Sequence, residues 1–107
     1  MFLIGNAALY NGSTFAQKDV VVVVINYRLG ALGFMASQSM QGNYGFLDQR
    51  LALEWTIANI AGFGGDPNRI TIAGQSAGGE SVGTHLISPK SQGLFQVLFD
   101  FCISFVC

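Results

Sequence analysis

Residues 20–25 read Val-Val-Val-Val-Val-Ile, an unbroken β-branched run with no polar position. β-Branched side chains favour extended backbone. A strand with one wetted face alternates apolar and polar residues. A run that is apolar throughout fits a strand buried on both faces of a parallel sheet, which needs helices above and below it. The run therefore predicts an α/β chain. Leu47, Leu51, Trp55 and Ala58 then recur at helical spacing between Asp48, Arg50 and Glu54. This predicts a helix from Phe46 to about Ala61, ended by Gly62, with Trp55 and its leucines in the core rather than in a ligand cage. Gly64–Asn68 is a turn cluster, Arg69–Ala73 a second short apolar strand, and Ala77 to about Ile87 a second helix. Together these make a βαβα unit whose two strands are expected to be parallel neighbours, or nearly so. Two strands cannot cover their own faces, so the unit is expected to belong to a larger, mostly parallel sheet.

Composition narrows the function classes. Of the 107 residues, 50 % are hydrophobic and 10 % charged, where soluble domains carry about 25 % charged residues. A formal net charge of −1 excludes a basic nucleic-acid binder and a polybasic membrane anchor. Cys102 and Cys107 lie at the end of the chain without metal-site spacing, so no zinc site or disulfide framework is expected. Met1–Gly5 is apolar but lacks the positive n-region and long apolar core of a signal peptide. The Leu94–Cys107 stretch contains Asp100 and falls short of the roughly 20 residues that span a bilayer. Asn11-Gly12-Ser13 fits the N-glycosylation acceptor pattern, making Asn11 a glycosylation candidate.

Gly74-Gln75-Ser76-Ala77-Gly78 fits G-x-S-x-G. The pentapeptide fixes only three residues, but here it lies between a predicted strand and a predicted helix, the setting of a nucleophile elbow. In such a turn the serine hydroxyl projects above the sheet, and glycines at 74 and 78 are expected to remove a steric clash. The Ala77 N–H, at the helix N-terminus, is placed to donate to a developing oxyanion. The competing reading is a glycine-rich turn with a helix-capping serine.

Phe63–Gly78, reading Phe-Gly-Gly-Asp-Pro-Asn-Arg-Ile-Thr-Ile-Ala-Gly-Gln-Ser-Ala-Gly, resembles the serine signature of the type-B carboxylesterases, the carboxylesterase/cholinesterase family. Asn26-Tyr27-Arg28-Leu29-Gly30, Gly42–Gln49, His85–Pro89 and Gly93–Gln96 resemble that family in the same order. The resemblance covers about residues 4–96. It implies a partial α/β-hydrolase domain over residues 1–96, followed by a divergent apolar tail over 97–107. It also implies that Ser76 is the acyl-accepting nucleophile and that Ala77 is one oxyanion donor. Gly74, Gln75 and Gly78 complete the elbow, the substrate is a small carboxylic ester, and neither metal nor organic cofactor is needed. Members of the family are often secreted. They are also much longer than this chain. The His-Gly-Gly oxyanion segment is expected before Met1, and the triad acid and histidine well downstream of the serine. The residue before the serine is often Glu. Gln75 removes that charge and weakens any case for cationic substrates.

His85, the single histidine, lies nine residues after Ser76, roughly 13.5 Å along a helix. That is too far for a base, and His85 reads as structural. Glu80 has no histidine to orient, so it is not assigned as the acid. Asp48 is a candidate carboxylate for Arg28, a pairing that sequence alone leaves open. Two other function classes stand beside the ester hydrolase. One is an esterase-like interaction protein without catalysis, against which the retention of Ser76 argues. The other is an inactive truncated product.

Overall fold

The computed structural model describes residues 11–101. The readings made above for Met1–Gly5, Cys102, Cys107 and the end of the apolar tail lie outside them. The chain divides into two compact units, one ending at Gly65 and the other starting at Asp66.

The first unit is helical. It contains α1 (Ser13–Ala16), α2 (Gly30–Phe34) and α3 (Tyr44–Asn59). The last of these starts two residues earlier than its periodicity suggests, because Asn43 takes the left-handed conformation (φ 56°) and turns the chain into the helix. The α-helix itself gives way at Asn59, two residues before the expected Ala61. Ile60–Phe63 continues as a 3₁₀ turn, Gly64 is the left-handed stop (φ 82°), and Gly65 N–H donates to Ile60 O at 2.9 Å. Gly62, the expected terminator, lies inside that 3₁₀ turn.

Arg28 and Asp48 are paired. Asp48 Oδ2 accepts from the Arg28 backbone N–H (3.0 Å) and from Nε (2.8 Å), while Oδ1 accepts from Nη2 (2.7 Å). Charge-assisted bonds of this kind favour the ionised forms. The guanidinium hydrogen bonds hold the Asp48 carboxyl below its ordinary range, and Asp48 in turn raises Arg28. The guanidinium also lies 5.2 Å from the centre of the Tyr44 ring.

Two expectations for this unit are corrected. Among the described residues, Val20–Ile25 joins no strand ladder, and Val20–Val24 are each 38–49 % exposed. A strand is stabilised by its neighbours rather than by its own propensity, and the described residues of this unit supply none. The apolar stripe of α3 is likewise uncovered. Leu51 and Trp55 are exposed, and the Trp55 ring lies tilted against that of Phe63, 6.4 Å between centroids. The buried positions of α3 are Gly45, Gln49 and Thr56, on the side that packs against α2 and its approach. A Cβ on Gly45 would lie 2.4 Å from Arg28 O and 2.6 Å from a Phe34 ring carbon, so only glycine fits there.

The second unit is a βαβ arrangement made of different parts from those expected. β1 (Thr71–Gln75) pairs in parallel with β2 (Val97–Phe101), in the register Thr71↔Val97 to Gln75↔Phe101, and α4 (Ala77–Ile87) lies between them in sequence. The crossover is thus α4 rather than α3, and the partner of β1 comes from the apolar segment after Gln96. β1 starts two residues after the predicted Arg69. The preceding turn consumes Arg69, whose N–H donates to Asp66 O (3.0 Å) and whose Nε pairs with Asp66 Oδ2 (2.9 Å). Ile70 is then tied to Gln96: its N–H donates to Gln96 Oε1 (2.7 Å), and its carbonyl accepts from Gln96 N–H (2.9 Å). α4 packs on both strands, and Ile70, Ile72 and Val82 are the buried apolar residues of this unit. Along β1 burial alternates, with Thr71, Ala73 and Gln75 exposed.

Candidate active site

The site is the junction of β1 and α4. The strand ends at Gln75 and the helix begins at Ala77, leaving Ser76 alone to make the turn. It does so at φ 54°, ψ −121°. That is sparsely populated backbone for a residue with a Cβ, and residues held there cost of order 1–3 kcal/mol. Two things hold it. Before the turn, Gly74 is locked in the ladder opposite Asp100. After it, the Ser76 carbonyl already accepts the first helical bond, from Glu80 N–H at 3.0 Å.

Ser76 occupies the N-cap position, yet its side chain makes no capping hydrogen bond. Ser76 is exposed at the start of a helix whose first amides have no intrahelical acceptor. Ala77 opens that helix. A partial negative charge developing next to Ser76 would meet the positive end of the α4 dipole.

The two motif glycines differ. A Cβ on Gly74 would lie 2.2 Å from both C and O of Gly78 and 2.7 Å from Gly79 N, so glycine lets helix backbone rest on strand backbone. A Cβ on Gly78 would meet nothing within 4 Å. The expected steric need for glycine at 78 is therefore corrected: what Gly78 contributes here is its own backbone, packed against Gly74. Gln75 is exposed at the strand end, and Glu80 is exposed in the first turn of α4.

His85 lies at the other end of the same helix, 3 % exposed, and its Nδ1 shares a 2.8 Å hydrogen bond with Oγ of the fully buried Ser91. It fastens the C-terminal end of α4 to the Pro89–Ser91 turn. Sequence reasoning missed Ser91 and Gln96 as supports for the crossover. Neither carries a local signal, because each acts on a residue brought near by the fold. Among the described residues no group of three or more His, Cys, Asp or Glu could hold a metal, and no helix is long and apolar enough to cross a membrane.

The carboxylesterase family matches this sequence over residues 1–98, and the chain belongs to that family. It is 57 % identical over 95 residues to the cocaine esterase of Oryctolagus cuniculus, covering 86 % of this chain and 18 % of that protein. It is 54 % identical over 97 residues to an acylcarnitine hydrolase of Mus musculus, covering 88 % and 17 %. A crystal protein of Dictyostelium discoideum is 54 % identical over 92 residues, covering 86 % and 17 %. The chain thus spans less than a fifth of the length of these relatives.

Proposed function

We propose that this chain is the nucleophile-bearing part of a serine hydrolase of carboxylic esters, built on an α/β-hydrolase sheet wider than the β1–β2 pair. The observation that carries the reading is the backbone of Ser76, at φ 54°, ψ −121°, between a strand and a helix. A serine used only as a cap needs neither that conformation nor a free hydroxyl. A nucleophile needs both.

In this reading Ser76 Oγ attacks the ester carbonyl, the alcohol leaves, and water releases the acid from the acyl-enzyme. The Ala77 N–H donates to the oxyanion, while Gly74, Gln75 and Gly78 form the elbow around it. The base and acid come from segments beyond these 107 residues, since His85 is engaged with Ser91. The wider sheet gives Val20–Ile25 its neighbours. Small-molecule carboxylic esters are the substrate class, and Gln75 weakens any case for cationic ones. Asn11, exposed at the head of Asn-Gly-Ser, is the candidate acceptor for an N-linked glycan.

The test is labelling with an organophosphonate serine probe of a polypeptide that carries this segment together with an acid and a base. Peptide mapping is expected to find the adduct on Ser76 and none in Ser76→Ala. A folded polypeptide of that kind that stays unlabelled overturns the assignment. The 107 residues alone are expected to turn over no aryl ester above the Ser76→Ala background.

A further inference from the structure

We infer that Asn11 is a self-modifying position, at which the carboxamide cyclises onto the Gly12 nitrogen and hydrolyses to aspartate or isoaspartate. The inference is independent of the ester chemistry. It rests on three features of the first unit.

First, Asn11 is exposed, so water reaches the ring that would form. Second, the following residue is glycine, which leaves its amide nitrogen unshielded by a side chain. This glycine is fixed by packing: a Cβ on Gly12 would lie 2.4 Å from Val22 Cγ1 and 2.8 Å from Val22 Cβ. The side chain that would slow the reaction has no room. Third, the oxygen that must accept charge is already held by two donors. Asn11 Oδ1 accepts from Ser13 N–H at 2.9 Å and from the Ser13 hydroxyl. As the Gly12 nitrogen adds to Asn11 Cγ, Oδ1 becomes an oxyanion facing donors already in position, the arrangement that stabilises acyl-transfer intermediates.

The bonds balance without a foreign reactant other than water. The Gly12 nitrogen bonds to Cγ and gives its proton to solvent, the Cγ–Nδ2 bond breaks, and ammonia leaves. Water then opens the cyclic imide at either carbonyl. Asparagine and water become aspartate or isoaspartate and ammonia. Either product adds a negative charge to a chain of net charge −1 and removes the Asn-Gly-Ser glycan acceptor. The isoaspartate product also adds a backbone methylene just before α1.

The test is to make the full 107-residue chain in a bacterial host, without N-linked glycans, and age it at neutral and mildly alkaline pH. Peptide mass mapping follows amide-to-acid conversion at each asparagine, and isoaspartyl methyl transfer identifies the isoaspartate fraction. Loss of amide at Asn11 is expected to exceed that at Asn6, Asn26, Asn43, Asn59 and Asn68 combined, and to be faster at the higher pH. Asn11→Gln, at an exposed position, is expected to abolish it, because the larger ring closes poorly. Ser13→Ala removes the hydroxyl donor and is expected to slow it. An Asn11 that keeps its amide as long as the other asparagines overturns the proposal. A Ser13→Ala chain that converts at the unaltered rate overturns the role given to the donors.

Discussion

Gly74→Ala tests how the turn is held. The added methyl would begin 2.2 Å from two backbone atoms of Gly78, and ordinary contact begins at 3.4 Å. The start of α4 must therefore retreat by about 1.2 Å, since helix backbone has no rotamer to change. Overpacking of this kind costs roughly 1–3 kcal/mol. The same helix supplies the control. A Cβ on Gly83 meets nothing within 4 Å, so Gly83→Ala should gain the helix-propensity difference of about 0.8–1.0 kcal/mol. Gly78→Ala, with open space as well, is expected to side with Gly83. Amide hydrogen exchange over Thr71–Ile87 reads local opening free energy directly. Gly74→Ala is expected to speed exchange by about 5- to 150-fold and Gly83→Ala to slow it by about 4- to 5-fold. In an active, longer polypeptide the ångström-scale shift at Ser76 is expected to lower activity by about 10²-fold. If Gly74→Ala exchanges like the parent chain, or Gly83→Ala is equally disruptive, the backbone-on-backbone account of this turn is wrong.

Ser76→Gly should relieve the backbone and stabilise the β1–α4 junction by about 1–3 kcal/mol while abolishing phosphonate labelling; faster exchange at Ala77–Glu80 would refute this. Gln96→Ala should remove the side-chain acceptor of Ile70, cost about 0.5–1.5 kcal/mol and deprotect the Ile70 amide; an unaltered Ile70 exchange rate would count against the clasp. The Arg28–Asp48 pair sets a pH dependence. Asp48 is held below its ordinary value near 3.8, so its contribution is fully present above that value and is lost as pH falls through the lower, folded one. An NMR titration of the Asp48 carboxyl should show the depressed midpoint, and Arg28→Gln should return it to the ordinary range; an Asp48 that titrates normally in the parent chain would break the argument.

How much of this was legible in the sequence depended on how local each signal is. The range Ala77–Ile87 of α4 could be read from the strand, turn and helix signals that touch one another in the chain. So could the turn at Ser76. Val20–Ile25 shows the opposite case. Its composition speaks of a strand, but pairing belongs to the partner, and no described residue pairs with it. Trp55 makes the same point for helices: the period gave the helix, while the buried face was decided by Phe34 and Arg28, which crowd Gly45. β2 was hidden in a Phe-rich segment that read as a tail, because a parallel ladder is fixed by contacts across the crossover and leaves no pattern in either strand alone. In the elbow, the glycine requirement was legible at Gly74 and misjudged at Gly78, where the deciding contact is between backbones.

The parallel pairing of β1 with β2 has a consequence for the order in which the chain can organise. The contacts that bend Ser76 come from β1, α4 and β2, and the tie that closes them, Ile70 with Gln96, joins residues 26 apart. Closing a loop of that size is entropically modest, and the helix within it forms from its neighbours without waiting for remote segments. During synthesis, the turn can therefore assemble as soon as β2 has emerged from the ribosome. Any acid or base supplied by later segments would then dock onto a serine whose backbone was already bent, rather than having to bend it.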